Sequence, residues 1–538
     1  MKNTPSNTHR TTLLLLSLLL AVSTLSSAQG SKAANGVPRV VVNILVDQLR
    51  SDYLEAFMPL YGEEGFKKLL NEGRVYTQAE YPLANPDLAS ASASLATGTS
   101  PSNHGITGKK WIDRNTLRPI FCCDDSKYTG AGTTDATSPK HLGVTTIGDE
   151  LKVASEGKAL VYAIAPFREA AVFSAGHAAN AALWMDNNTG NWVSSSYYGG
   201  LPAWVTVHNQ FQDYASKIKN TTWQPINPLT GNFSYFLSGG VKDPFKHKFK
   251  TETAFVDYKT SGLINEEVGL LAASCLTNTM IGRDDITDYL SVTFYAGNFR
   301  HQTASVAPIE LQDIYVRLDR ALAELVAAVE KKVGRENALF VLTSSGYADE
   351  ESADLSTYKI PTGKFDVVRT ASMLNIYLAA IYGPGQFVEA THGTQFYLNH
   401  KLIEERQISL TELLERAQDL LLQFSGVKDV YTSQRLLQGA WTPGISRIRG
   451  GYNAMTSGDI FLEIAPGWRY VNADTKENQL VRASYIPFPI VFYGHTTVSA
   501  KIDTPVTIDF IAPTLSKVMR IRAPNACSNA PLSLSNVQ

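Results

Sequence analysis

Nearly continuous apolar runs recur along the chain at Val40–Val46, Leu160–Ile164, Leu290–Phe294, Ala338–Leu342 and Ile490–Tyr493. They are rich in β-branched residues and lack polar alternation, which predicts strands buried on both faces, as in a parallel sheet. Between Ile309 and Val333 the spacing changes. Leu311, Ile314, Leu318, Leu322, Leu325 and Val329 recur at steps of three and four, and Arg317, Asp319, Arg320 and Glu324 fall on the opposite side. That period predicts a long amphipathic helix. Shorter helical stretches are predicted at Tyr53–Leu60 and Gly65–Leu70. Strands alternating with helices imply an α/β fold with a mostly parallel central sheet and helices on both faces.

Two regions break the alternation. From about 111 to 288, short strands around Asn187-Asn188-Thr189-Gly190, scattered aromatics and polar loops predict a large insertion. A second hairpin-rich stretch, about 427–468, holds Gly450-Gly451-Tyr452 and an alternating strand at Asp459–Ile464. No linker separates independent domains, so one core with insertions is expected over residues 29–538.

Composition narrows the class. With 44% hydrophobic residues and 48 Lys+Arg against 50 Asp+Glu in 538 residues, the chain is a near-neutral globule. It has neither the profile of a disordered protein nor the basic excess of a nucleic-acid binder. Residues 1–28 differ from the rest: Lys2 and Arg10 precede an apolar run from Leu13 to Leu25, then Ser26 and Ala28 at cleavage spacing. This is the pattern of a secretory signal peptide, so a periplasmic or extracellular location is expected, with no membrane span after cleavage. Four cysteines, Cys122, Cys123, Cys275 and Cys527, allow three pairings, among which the sequence does not choose.

In open α/β sheets ligands sit beyond the carboxyl ends of the strands. Asp47 closes the first apolar run, Thr343-Ser344-Ser345-Gly346 the fourth, and Tyr295-Ala296-Gly297 the third, with His301 shortly after. These positions carry a resemblance. Val46-Asp47-Gln48-Leu49-Arg50-Ser51-Asp52-Tyr53, Thr97-Gly98-Thr99-Ser100-Pro101-Ser102-Asn103-His104-Gly105-Ile106, Thr145-Thr146-Ile147-Gly148-Asp149-Glu150-Leu151, Ser457-Gly458-Asp459-Ile460 and Ile511-Ala512-Pro513-Thr514-Leu515 resemble the alkaline phosphatase superfamily. More narrowly, they resemble its secreted bacterial phosphatases with a single Thr nucleophile, relatives of the nucleotide pyrophosphatase/phosphodiesterases. The resemblance runs through essentially the whole chain after the leader.

It implies an alkaline-phosphatase-like core and a phosphoryl transfer clamped by two zinc ions, each with about three Asp or His ligands. Carried over by position, most of that machinery is substituted. Leu88 stands at the nucleophile position. Asp47 and His301 stand at zinc-ligand positions; the other four are Gly297, Ser344, Ser345 and Pro487. Lys109 replaces a substrate-binding Asn, and of a Lys-x-Arg pair that holds phosphoryl oxygens, Pro166 replaces the Lys and Arg168 remains. Zinc is therefore expected of the family but not as a stable centre here, because a single Asp or His gives little affinity without chelation. Ser90 and Ser92 lie near Leu88, but a helix turns a residue two places on by about 200°, away from the Leu88 position. Asp349, Glu350, Glu351 and His495, the nearest substitute ligands, are expected on the solvated surface.

Three functions follow as expectations. The first is an exported pseudoenzyme that keeps the phosphatase fold for binding or scaffolding, with an unidentified protein partner. The second is an active phosphate-ester hydrolase with an atypical site built on Asp47, Lys109, Arg168 and His301. The third is a protein that binds a small anionic ligand between Lys109 and Arg168.

Overall fold

The computed structural model describes residues 36–226, 245–304, 306–349, 359, 361–439, 443–481 and 486–535. The proposed leader, Glu350 and Glu351 lie outside the described residues.

Val40–Asp47 is the central strand, buried at every position. It pairs in parallel with Asp288–Tyr295 on one side and Ala338–Ser344 on the other. Val161–Ala165 and Ala181–Met185 extend the parallel run. These five parallel strands are buried because helices cover both faces of the sheet, so that even Ser291 and Thr293, which alternate with apolar residues in Asp288–Tyr295, are 1% exposed. The strand Phe488–Gly494 departs from the expectation. It is equally apolar but runs antiparallel to both of its neighbours, Ala338–Ser344 and Arg74–Glu80. Burial on both faces, which the pattern reports, does not fix strand direction.

Alternate residues of the central strand feed two cores, one on each face. Val40, Val42, Ile44 and Val46 pack with the long helix, which spans Pro308–Val333, and with Leu263–Asn278. Val41 and Leu45 pack on the opposite side with the helices Leu88–Thr97, Arg168–Ala175 and Ile511–Met519. Leu88–Thr97 is buried along its whole length, and its small Ala and Ser side chains allow it to pack closely against Arg168–Ala175.

The stretch from about 111 to 288 is only partly peripheral, since it donates Val161–Ala165, Ala181–Met185 and Trp192–Ser195 to the central sheet. What it adds outside the sheet includes the hairpin Lys110–Asp113/Arg118–Phe121. The hairpin-rich stretch near 427–468 belongs to a larger unit. Its strands join Val388–His392 and Gln395–Leu398 in a four-stranded antiparallel sheet. The helices Val367–Tyr382 and Leu410–Leu421 cover that sheet and enclose a third core.

The polar side of the long helix is not uniformly solvated. Arg320 and Glu324 are exposed, but Arg317 and Asp319 are buried. Asp319 accepts hydrogen bonds from the backbone N–H of Gly62 at 2.8 Å and of Phe66 at 2.7 Å. Phe66 opens the helix Phe66–Glu72, whose own N-cap residue is Gly65 and supplies no side-chain cap. A remote carboxylate therefore satisfies donors that the helix terminus leaves open. Asp319→Ala is expected to strand both N–H groups and to lower stability by about 2–4 kcal/mol, read as a shift in the denaturant midpoint at unchanged m-value.

Candidate functional site

The parallel strands end on one edge, and the candidate residues gather there. Asp47 is the last residue of the central strand and is 1% exposed. It lies in register with Tyr295, and Val46 with Ser344. Past these strand ends the backbone closes tightly: Ala296 N–H donates to the Asp47 carbonyl at 2.8 Å, and Ser345 N–H to the Val46 carbonyl at 3.2 Å.

The Asp47 carboxylate is held by hydroxyls. Ser345 Oγ donates to its Oδ1 at 2.7 Å, Tyr347 supplies a further side-chain hydrogen bond, and Gln48 N–H donates to Ser345 Oγ at 2.8 Å. Ser344 Oγ is turned to the Leu49 carbonyl at 2.7 Å. Burial pushes the Asp47 carboxyl up to about 7 from its ordinary 3.8, a rise that the Ser345 and Tyr347 bonds offset only in part.

His301 lies on a short turn after Asp288–Tyr295, with its side chain about half exposed. Its Nδ1 is 2.9 Å from Asp349 Oδ1. Asp349 also accepts from Asn298 N–H at 2.9 Å through Oδ2, and its own N–H donates to Gln48 Oε1 at 2.7 Å. Expected on the solvated surface, the Asp349 side chain is instead 11% exposed and clamps this loop. Burial alone would lower the His301 pKa, but the bond to Asp349 carries it above the ordinary value. His495, also expected at the surface, is buried and bonded through Nδ1 to the Glu336 carbonyl at 2.7 Å. Both corrections have one cause: a polar side chain near a strand end is satisfied by the backbone that turns there.

Three non-glycine residues around this edge adopt left-handed backbone: Gln48 (φ 64°), Arg300 (φ 55°) and His301 (φ 53°). Gly297 is packed so closely that a Cβ there would lie 2.6 Å from Tyr295 Oη and 2.7 Å from the Gln48 amide. Pro487 offers the site no imidazole or carboxylate; its carbonyl accepts from Ser51 N–H at 2.9 Å.

Leu88 is the first residue of its helix and is 5% exposed. Asp87 caps that helix in a reciprocal pair with Ser90, accepting from Ser90 N–H at 2.9 Å while Asp87 N–H donates to Ser90 Oγ at 3.0 Å. Ser92 Oγ donates to the Leu88 carbonyl at 2.7 Å. Both serines are thus engaged within their own helix.

The two cations are engaged as well. Half-exposed Lys109 lies 2.9 Å from buried Glu169, and Arg168 Nη2 lies 2.8 Å from exposed Asp124. Burial would push the Glu169 carboxyl up, but Lys109 holds it below the usual value. Both cations also face one ring: Arg168 lies 4.2 Å and Lys109 Nζ 5.7 Å from the centroid of Phe121. Lys259 completes this neighbourhood. It is buried, donates to the Met185 carbonyl at 3.1 Å, and burial lowers it to about 8. Sequence reading missed Lys259, Glu169 and Phe121, because none lies within a quoted motif or closes one of the apolar strand runs.

The donor set does not fit a pair of zinc ions. Of the six positions to which the resemblance assigns zinc ligands, only Asp47 and His301 have strong donor side chains, and each is bonded to protein: Asp47 to Ser345 and Tyr347, His301 to Asp349. No group of three or more His, Cys, Asp or Glu side chains arranged to hold a metal occurs among the described residues. The edge is built instead as a hydrogen-bonded balance in which a buried carboxyl is kept close to neutral.

The carboxyl of Asp47 binds its proton more tightly in the folded chain than in the unfolded one. Its contribution to stability is therefore undiminished below about pH 4 and falls as pH rises to about 7. Asp47→Asn, which mimics the protonated form, is expected to leave stability near pH 4 little changed and to raise it at pH 8, on the order of 3–4 kcal/mol. Denaturant titrations of both proteins across pH 4–8 check this; an equal difference at every pH would remove Asp47 as the source.

Comparison with known proteins agrees with this architecture. The family described as type I phosphodiesterase / nucleotide pyrophosphatase matches residues 41–485. Alkaline phosphatase PafA of Elizabethkingia meningoseptica is 30% identical, with 96% of this chain and 98% of that protein covered. Alkaline phosphatase PhoV of Synechococcus elongatus is 27% identical over 95% of this chain and 97% of its own length. The crystal structure of wild-type PafA superposes with a TM-score of 0.81 at 27% identity, covering 92% of this chain and 98% of that one. From strand order to whole-chain similarity, the chain belongs to the type I phosphodiesterase / nucleotide pyrophosphatase family of the alkaline phosphatase superfamily.

Proposed function

We propose that this chain is an exported pseudoenzyme of its family, in which the phosphatase fold serves binding or scaffolding and the two-metal phosphoryl-transfer centre is lost. The observation that carries the reading is the set of side chains found at the positions the resemblance assigns to catalysis. An apolar side chain, Leu88, stands at the helix start where the family's nucleophile belongs. At the strand ends beside it, Ser345 bonds to the Asp47 carboxylate, where a second ligand would have to face a metal. A hydrocarbon cannot attack phosphorus, and Ser90 and Ser92, which follow Leu88 in its helix, are bonded within that helix.

Export rests on the leader-like residues 1–28. No helix of the described residues is long and apolar enough to cross a membrane.

The names of the relatives argue for the opposite activity, and the experiment is chosen to decide between them. The protein, exported from an expressing cell with its leader removed after Ala28, is incubated with excess zinc, desalted and analysed for bound metal. Hydrolysis of phosphomonoesters and phosphodiesters is assayed in parallel. Less than one zinc per chain and rates at the no-protein background are expected. Stoichiometric zinc together with turnover that Asp47→Ala abolishes would overturn the proposal.

A second reading, recognition of a small anion, is favoured by one observation: two cations converge on the face of Phe121, and the carboxylate that pairs Arg168 is itself exposed. An anion that displaced Asp124 would meet a guanidinium already positioned for bidentate contact. Lys109 is less available, because its partner Glu169 is buried. Thermal melts with phosphate, sulfate and sugar phosphates are expected to show stabilisation of about 2.7 kcal/mol at 100 times the dissociation constant, and to lose it in Arg168→Ala. Melts unmoved by any of these anions would reject this reading.

A further inference from the structure

Cys122 and Cys123 are adjacent in sequence, fully buried, and their sulfur atoms lie 3.7 Å apart. They are the two central residues of a turn: Asp124 N–H donates to the Phe121 carbonyl at 3.0 Å. The turn is tied on both sides, by Cys122 N–H to the Lys109 carbonyl at 3.0 Å and by Ser138 N–H to the Cys123 carbonyl at 3.1 Å. No other thiol competes for these sulfurs. Cys275 belongs to the core on the opposite face of the sheet, and Cys527 Sγ donates to the Thr97 carbonyl at 3.2 Å.

We propose that Cys122 and Cys123 form an oxidisable vicinal dithiol, which closes into a disulfide ring through their shared peptide when a disulfide-bearing oxidant reaches it. The sulfurs already touch, so closure needs side-chain rotation and a small adjustment of the turn. Consecutive Cα atoms are about 3.8 Å apart, short of the roughly 4.4–6.8 Å that bridged cysteines usually span. The bond is therefore strained and more easily reduced than an ordinary structural disulfide.

The chemistry is thiol–disulfide exchange. One thiol of the pair, Cys123, gives up its proton and attacks one sulfur of the oxidant, and the other sulfur leaves as a thiol. Burial pushes the Cys122 thiol well up, which makes it the second reactant. Cys122 then gives up its proton and displaces the oxidant from Cys123. Two protons and two electrons pass from the cysteine pair to the oxidant, which departs fully reduced.

The position of the pair gives its oxidation state a route to the candidate site. Phe121, the first residue of the turn, lies beneath Arg168, and Asp124, the last, is its ion-pair partner. Closing the ring acts on the backbone that holds both.

The test uses the full chain without its leader and does not depend on where the cell delivers it. The protein is equilibrated with mixtures of oxidised and reduced glutathione, quenched in acid, alkylated after denaturation and digested with trypsin, with the fold checked by circular dichroism. At oxidising ratios the peptide of residues 115–127 is expected to be two hydrogens lighter and unalkylated, and at reducing ratios alkylated at both cysteines. In Cys122→Ser, Cys123 is expected to retain one glutathione. Two alkylated sulfurs at every ratio, or a bridge from either cysteine to Cys275, Cys527 or a second chain, would overturn the proposal. Retained zinc or phosphatase turnover would bear on the proposed function without altering this result.

Discussion

A carboxyl group sealed at the end of the central strand has to be neutralised by something, and the rest of the edge follows from how this is done. The strand Val40–Asp47 lies between two parallel neighbours with no solvent on either face, so Asp47 cannot be hydrated. Charge at such a position requires a metal, a basic side chain or a dense set of donors. Here Ser345 and Tyr347 supply hydroxyls, and burial shifts the remaining balance toward the proton. Ser345, Tyr347 and the carboxyl they hold therefore form one consistent electrostatic solution.

The basic residues obey the same rule a short distance away. Lys109 has its own buried carboxylate in Glu169, Arg168 pairs with Asp124, and Lys259 is kept in the interior by a carbonyl and by the charge of Glu169. Positive and negative groups thus alternate around the Phe121 hairpin without a strong excess of either sign. Arg168 reaches this edge because its helix follows the strand Val161–Ala165, and its pairing, like that of Lys109, comes from residues outside the quoted motifs.

How much could be read in advance differs between these two levels. Four of the five parallel strands and the long helix were legible because apolar runs and a three-to-four spacing have few other interpretations; the fifth strand, Ala181–Met185, lay inside the stretch read as an insertion. The antiparallel direction of Phe488–Gly494 was not, since burial on both faces looks the same in either direction. Asp319 was misread for a related reason: periodicity places a residue on a face of its helix but not what approaches that face, and the turn of Gly62 and Phe66 comes from far away in sequence. At the site, motif spacing located Asp47, Leu88 and His301. Asp349 was invisible to it because its role depends on a loop folding back onto Gln48 and Asn298.

The left-handed backbone at Gln48, Arg300 and His301 has a wider meaning. Each such residue costs roughly 1 kcal/mol or more relative to a relaxed conformation, so the surrounding contacts must hold it. Asp349, Ser345 and the strand ends do the holding, through contacts made entirely within the chain. These turns are thus tied to the scaffold by the chain's own hydrogen bonds. A molecule that came to bind there would meet a surface already shaped, and would not have to order these loops as part of its own binding free energy.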